Sequence, residues 1–174
     1  MHARNAKLPD AFAIEQLIQV HVGDGTLLPR SLSEICENIR DFIVVENERE
    51  IVGCGALHLY GMHLAEIRSI TVTKDSKGKG AGRVLIDALM KEAKKQSVTC
   101  VCLFTRIPEF FGKMGFVEVE KEELPDKALK DCSKCSRQNA CDEIAMYIGT
   151  LPKHSRVRRP QVQRNYVPVS ALHA

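Results

Sequence analysis

The alternating stretch Glu66-Ile67-Arg68-Ser69-Ile70-Thr71-Val72-Thr73 runs, three residues later, into Lys77-Gly78-Lys79-Gly80-Ala81-Gly82, and no other feature limits this chain as strongly. Past it, Val84, Leu85, Ala88, Leu89 and Ala93 recur at helical spacing as far as about Gln96. Glycines at three alternate positions let backbone approach an anion closely. The helix that follows aims unpaired N–H groups and the positive end of its dipole at the same point. Lys77, Lys79 and Arg83 add formal charge. The stretch is not a Walker loop, because the Gly-Lys-Ser/Thr ending is missing, and it is not G-x-G-x-x-G. On spacing alone two readings stand, a phosphate or pyrophosphate cradle and a glycine-rich turn with solvated lysines.

The flanking pattern supplies the architecture. Residues 2 to 6 suit a short first strand. Asp10 stands where it would cap a helix carrying Phe12, Ile14, Leu17, Ile18 and Val22, which Gly23-Asp24-Gly25 stops. Ser31 and Glu34 make an S-x-x-E capping box for a second helix. Ile43 to Val45 and Ile51 to Tyr60 flank Asn47-Glu48-Arg49-Glu50 as a hairpin does. The strand from Glu66 alternates cleanly, which puts Glu66, Arg68 and the residues two apart from them on one face. Val98 to Phe104 is almost continuously apolar, the mark of a central strand covered on both sides. A short helix from Pro108 to Met114, a strand from Phe116 to Glu120, a polar cysteine-bearing segment from Glu122 to Asn139 and a last strand from Ile144 to Ile148 complete a mixed sheet flanked by helices, an α/β (α+β) chain.

Composition narrows the function classes. At 174 residues with 27% charged and 44% apolar, the chain fits one globular domain with an appendage. Residues 1–150 read as that domain. Residues 151–174 read as a basic extension, since they hold five Lys and Arg, no acid and three of the seven prolines. Either a polyanion contact or a plain solvated tail accounts for it. No apolar run reaches the ~20 residues that cross a bilayer, which argues against a membrane protein. The absence of Trp and 5% aromatic content argue against a stacking platform for nucleic acid. The seven cysteines are odd in number and follow a start without a secretory core, so a reducing cytoplasm is expected. Cys36, Cys54, Cys100 and Cys102 sit in apolar patterns and read as core. Cys132, Cys135 and Cys141 offer three ligands where a structural zinc needs four, leaving metal or free thiols as the alternatives and no metal as the expectation.

Taken together, these motifs make the chain recognisable. Lys77 to Gly82 resembles the (Gln/Arg)-x-x-Gly-x-(Gly/Ala) signature of the GCN5-related N-acetyltransferases (GNAT), with Lys in the first position, and Phe111-Gly112-Lys113-Met114-Gly115-Phe116 resembles that family's (Tyr/Phe)-x-x-x-Gly-Phe segment. The resemblance covers about residues 2 to 150. A narrower likeness, to the acetyltransferase domain of N-acetylglutamate synthases in a short, stand-alone form, rests on several segments. They are Leu28-Pro29-Arg30-Ser31, Ile39-Arg40-Asp41-Phe42, Ile51 to Leu57, Glu66-Ile67-Arg68-Ser69, Asp131 to Cys135 and Cys141 to Ala145.

The resemblance implies a GNAT fold whose mostly antiparallel sheet splays between strands 4 and 5. It implies acetyl-CoA as cosubstrate, L-glutamate as acceptor at the opening of arginine biosynthesis, and a homodimer. Acetyl-CoA is then expected against Ile70, Thr71 and Val72, the loop Lys77, Gly78, Lys79, Gly80, Ala81, Gly82 and Arg83, and Phe111. Two carboxylates on the acceptor call for convergent cations, for which Arg30, Arg68 and Arg106 are the candidates, with Ser31 at a helix start. An α-amine is mostly protonated at pH 7, so a base must act before attack; Glu66 fills that role. A main-chain N–H at Ile70 would hold the oxyanion. Phe111 stands where many relatives have a Tyr acid, so no dedicated protein acid is expected, although Thr105 is placed to orient a water. Transfer is then direct, without a covalent enzyme intermediate. The rival readings are a relative acting on another amine and a non-catalytic acetyl-CoA-binding regulator.

Overall fold

The computed structural model describes residues 1–23, 25–124 and 140–152. Among them β1 (His2–Asn5), β2 (Phe42–Asn47), β3 (Glu50–Leu59), β4 (Ala65–Val72), β5 (Cys100–Thr105), β6 (Val117–Glu118) and β7 (Ile144–Gly149) form one sheet in the order β1-β2-β3-β4-β5-β7-β6. The helices are α1 (Ala11–Gln19), α2 (Leu32–Glu37), α3 (Ala81–Lys95) and α4 (Pro108–Gly112). Every strand pairing is antiparallel except β4 with β5. That parallel pair holds only at Ala65 opposite Val101 and Glu66 opposite Cys102. Beyond Glu66 the two strands part, and the expected splay is present.

Burial explains why the layers stack this way. Leu85, Ile86, Leu89 and Ala93 fall on one stripe of α3 and pack with Ile43, Leu57, Ile67, Val101 and Leu103. On the other face Ile14, Ile18 and Ile35 from α1 and α2 cover Phe42, Val44, Cys54 and Ala56. Leu64, Cys100, Cys102, Leu124 and Ala145 form a third cluster. Since Val101 and Leu103 face α3 while Cys100 and Cys102 face away, β5 is covered on both sides, as its apolar run foretold. The hairpin at 47–50 is also as expected, with Glu48 (φ 51°) and Arg49 (φ 72°) both left-handed, the turn whose twist matches paired strands.

Four local expectations are corrected. Asp10 does not cap α1; its carboxylate accepts from the Lys7 amide at 2.7 Å and closes a 3-10 turn at Leu8–Asp10 instead. Phe12 is 59% exposed, because the buried stripe is Ala11, Ile14 and Ile18 and residue 12 lies one step round the helix from it. The capping box is half made, with the Glu34 amide bonded to Ser31 Oγ at 3.2 Å while the Glu34 carboxylate turns to Arg30. Most consequentially, the alternation of β4 breaks. Cys54 pairs with Thr71 but Ala56 with Arg68, so Ser69 and Ile70 together face Gly55, and Ser69 adopts φ 54°. This bulge returns Ile70 and Val72 to the α3 side with Ile67 rather than leaving them on the face of Glu66 and Arg68.

Candidate active site

Glu66 stands at the last paired position before the splay and is 2% exposed. The hydroxyl of Tyr60, just past β3, donates to its Oε2 at 2.6 Å. His58 lies opposite Glu66 across the β3–β4 pairing, edge-on to Tyr60 at 5.0 Å, with Nδ1 3.5 Å from Asp41 Oδ2. The sequence pattern did not single out Tyr60 or Asp41, and it gave His58 no role. The only signal was the hairpin itself, which folds residues 58–60 back beside residue 66. Past Glu66, no strand among the described residues pairs with the β5 side of residues 67–72, the edge along which an extended ligand could be added.

Two of the three glycines at the junction take up backbone conformations that favour glycine. Gly78 (φ 77°) and Gly80 (φ 90°) are left-handed, and Gly80 is the residue from which α3 starts, its carbonyl accepting from the Val84 amide at 3.0 Å. The N–H groups of Ala81, Gly82 and Arg83 therefore precede the first helical bond. No heavy atom lies within 4 Å of where a Cβ would stand at Gly78 or Gly80, whereas one at Gly82 would meet the Phe110 ring at 3.2 Å. Open space beside these amides, with Lys77 and Lys79 exposed, fits a diphosphate. Arg83 Nε lies 3.2 Å from both oxygens of Asp87.

The remaining expected site residues divide. Arg30, just ahead of α2, pairs with Glu34, and Ser31 caps the helix. Arg68 is half-buried on the Glu66 strand. Arg106 Nη1 donates to the Gly25 carbonyl at 3.0 Å, and its Nε lies 2.9 Å from Asp142 Oδ2 without its N–H aimed along that line. Thr105 is buried, its Oγ1 accepting from the Ile107 amide at 3.0 Å. The Thr71 hydroxyl is buried without a partner among the described residues. Phe111 is 3% exposed in the core, edge-on to Phe110 and Phe116, so its ring offers a ligand little surface; Phe110 is the ring that meets the glycine junction.

Burial pushes the Cys54 thiol up to about 12 and the Cys100 thiol to about 11, which keeps both protonated and non-nucleophilic near neutrality. Cys132 and Cys135 lie outside the described residues, and Cys141 is exposed. Among the described residues no three metal-capable side chains come together. No helix of the described residues is long and apolar enough to cross a membrane.

Residues 38–118 match the family described as an acetyltransferase (GNAT) domain. An uncharacterized N-acetyltransferase of Chlorobaculum tepidum is 41% identical over 148 residues, which is 85% of this chain and 95% of that protein. An amino-acid acetyltransferase of Mycobacterium tuberculosis is 35% identical over 120 residues, 67% of this chain and 68% of that one. The crystal structure of N-acetylglutamate synthase from Neisseria gonorrhoeae, complexed with coenzyme A and N-acetyl-glutamate, superposes with a TM-score of 0.76 at 24% identity, covering 87% of this chain and 35% of that one; this last likeness is one of fold.

Proposed function

Given that the chain belongs to the GNAT acetyltransferase family, and is therefore an N-acetyltransferase that draws its acyl group from acetyl-CoA, we propose that its acceptor is the α-amine of L-glutamate. The activity is that of an N-acetylglutamate synthase, a cytoplasmic enzyme at the opening of arginine biosynthesis. The observation that carries the reading is one strand, β4, holding a buried carboxylate where the sheet parts and leading directly to the amide-lined glycine junction. The name of the Mycobacterium tuberculosis relative supports an amino-acid acceptor, and the narrower choice of glutamate follows the resemblance of the sequence segments to N-acetylglutamate synthases.

Acetyl-CoA supplies an acetyl group activated as a thioester. In this reading the amides of Gly78 to Arg83, with Lys77 and Lys79, hold its diphosphate, and main-chain groups of Ile70, Thr71 and Val72 take its extended arm as an added strand. Glu66 accepts a proton from the glutamate ammonium, directly or through one water. The neutral amine then attacks the thioester carbonyl, the N–C bond forms, the Ile70 N–H faces the developing oxyanion, and the C–S bond breaks to release thiolate. The nitrogen, which still carries one proton more than an amide, gives it to the thiolate directly or through solvent, and Glu66 releases its own proton to solvent. Arg30 and Arg68 supply cations for the two carboxylates.

A different acceptor within the same chemistry is favoured by one observation. Arg30 and Arg106 already carry acidic partners, Glu34 and Asp142. A thiol-release assay with a panel of amino acids decides between them. L-glutamate should be turned over with the highest kcat/KM, and a higher value for an acceptor without a side-chain carboxylate rejects the glutamate assignment.

A further inference from the structure

We propose that Tyr60 is a positioning residue of the acetyl transfer, its hydroxyl fixing the orientation of the Glu66 carboxylate that takes the proton from the acceptor amine. The inference rests on the reading of Glu66 as the base. A carboxylate buried to 2% exposure needs partners for its oxygens, and the side chain's last torsion is broad and soft, so what bonds to it decides where its lone pairs point. Tyr60 bonds to Oε2 at 2.6 Å, at the short end of the range for a hydroxyl donor.

Tyr60 is itself well fixed. The amides of Tyr60 and Gly61 both bond to the Leu64 carbonyl, at 3.0 and 3.3 Å, closing the β3–β4 hairpin tightly. Leu64 is fully buried in the cluster against which the Tyr60 ring packs. His58 meets that ring edge-on at 5.0 Å and is anchored in turn beside Asp41. Hairpin, ring and hydroxyl therefore form one rigid bracket. The strand pairing sets its register, with His58 opposite Glu66. A phenol suits this task because it donates one bond at a fixed distance from a stiff ring and stays protonated at neutral pH.

A hydroxyl that merely satisfied a buried oxygen would matter to folding and not to the rate at saturation. Tyr60→Phe removes the hydroxyl and keeps the ring, and is assayed in the full chain with acetyl-CoA and L-glutamate, alone and combined with Glu66→Gln. The expected result is a kcat lower by about ten- to a hundredfold, the scale of a hydrogen bond to a charged group, with both KM values and coenzyme binding by calorimetry unchanged. In the Glu66→Gln background the same substitution should leave the residual rate as it is, because the phenol acts only through that carboxylate. An unchanged kcat, a change confined to KM, or a full additive loss in the Glu66→Gln background overturns the proposal. A Glu66→Gln enzyme with the parent rate sinks the base assignment itself, which the Tyr60→Phe comparison alone does not touch. A Tyr60→Phe chain that no longer binds coenzyme or melts below the assay temperature makes Tyr60 a folding residue and likewise overturns the proposal.

Discussion

Glu66 differs from the other acidic residues of this chain in where it sits rather than in what it is. Asp10, Glu34 and Glu46 all face arginines. Glu66 accepts from the Tyr60 hydroxyl at the point where the sheet opens. Replacing it with Gln keeps the shape and the hydrogen bond but removes the base. We expect kcat to fall about a hundred- to ten-thousandfold while calorimetric binding of acetyl-CoA persists, since the glycine junction is untouched. Equal loss of coenzyme binding would mean that the carboxylate supports the fold rather than the chemistry. At this scale the sequence put Glu66 on the strand leading into the glycines, and that is where it lies, buried at the opening of the sheet. Tyr60 was not readable, because its partner is six residues away across a hairpin and nothing in a period-two pattern distinguishes a phenol that reaches a carboxylate from one that fills a core.

Among the elements, the glycine junction was legible because φ near +90° and an open approach are demands that only glycine meets cheaply. Gly80→Val places a branched side chain at φ 90° and methyl groups in the open space beside the junction amides. It should cost about 1–2 kcal/mol of stability and raise the KM for acetyl-CoA well beyond that for the acceptor. Equal rises in both would move the coenzyme away from this loop. The bulge in β4 was hidden for the opposite reason, since Ser69 carries no glycine-like signature and the residues around it alternate as an unbroken strand would.

A second element-scale prediction concerns the β1 edge, where Arg4 bridges Asp10 at 2.7 Å and Glu46 at 2.5 Å, tying β1 to β2 and to the turn before α1. Hydrogen bonds from that guanidinium hold both carboxyls below their ordinary values of 3.8 and 4.5. Groups with depressed folded values stabilise fully above the ordinary range and lose that contribution as pH falls through the folded ones. Arg4→Met should therefore melt below the parent at pH 7, with the gap narrowing steadily below about pH 4. A gap independent of pH would assign the loss to packing of the Arg4 stem.

For the whole molecule the decisive fact is that strands β1–β4 and β5–β7 share only two residue pairs. On one side α3 spans the join, packing with Ile43 and Leu57 from the first group and Val101, Leu103 and Met146 from the second. On the other, Arg106 at the end of β5 reaches the Gly25 carbonyl in the segment that leads to Arg30, and is itself held beside Asp142 just ahead of β7. That geometry gives Arg106 a bracing role across the splay in addition to the carboxylate contact its position suggested, and two substitutions separate the roles. Under bracing, Arg106→Met should raise the KM for the acceptor about tenfold with the KM for acetyl-CoA unchanged, and Asp142→Asn should do the same in smaller measure by loosening the guanidinium. If Arg106 instead grips a substrate carboxylate directly, removing the competing charge at Asp142 should leave the acceptor KM unchanged or lower it. The sign of the Asp142→Asn effect, read from initial rates at saturating acetyl-CoA, therefore tells whether the sheet's two halves are held in register by this arginine or merely meet at it.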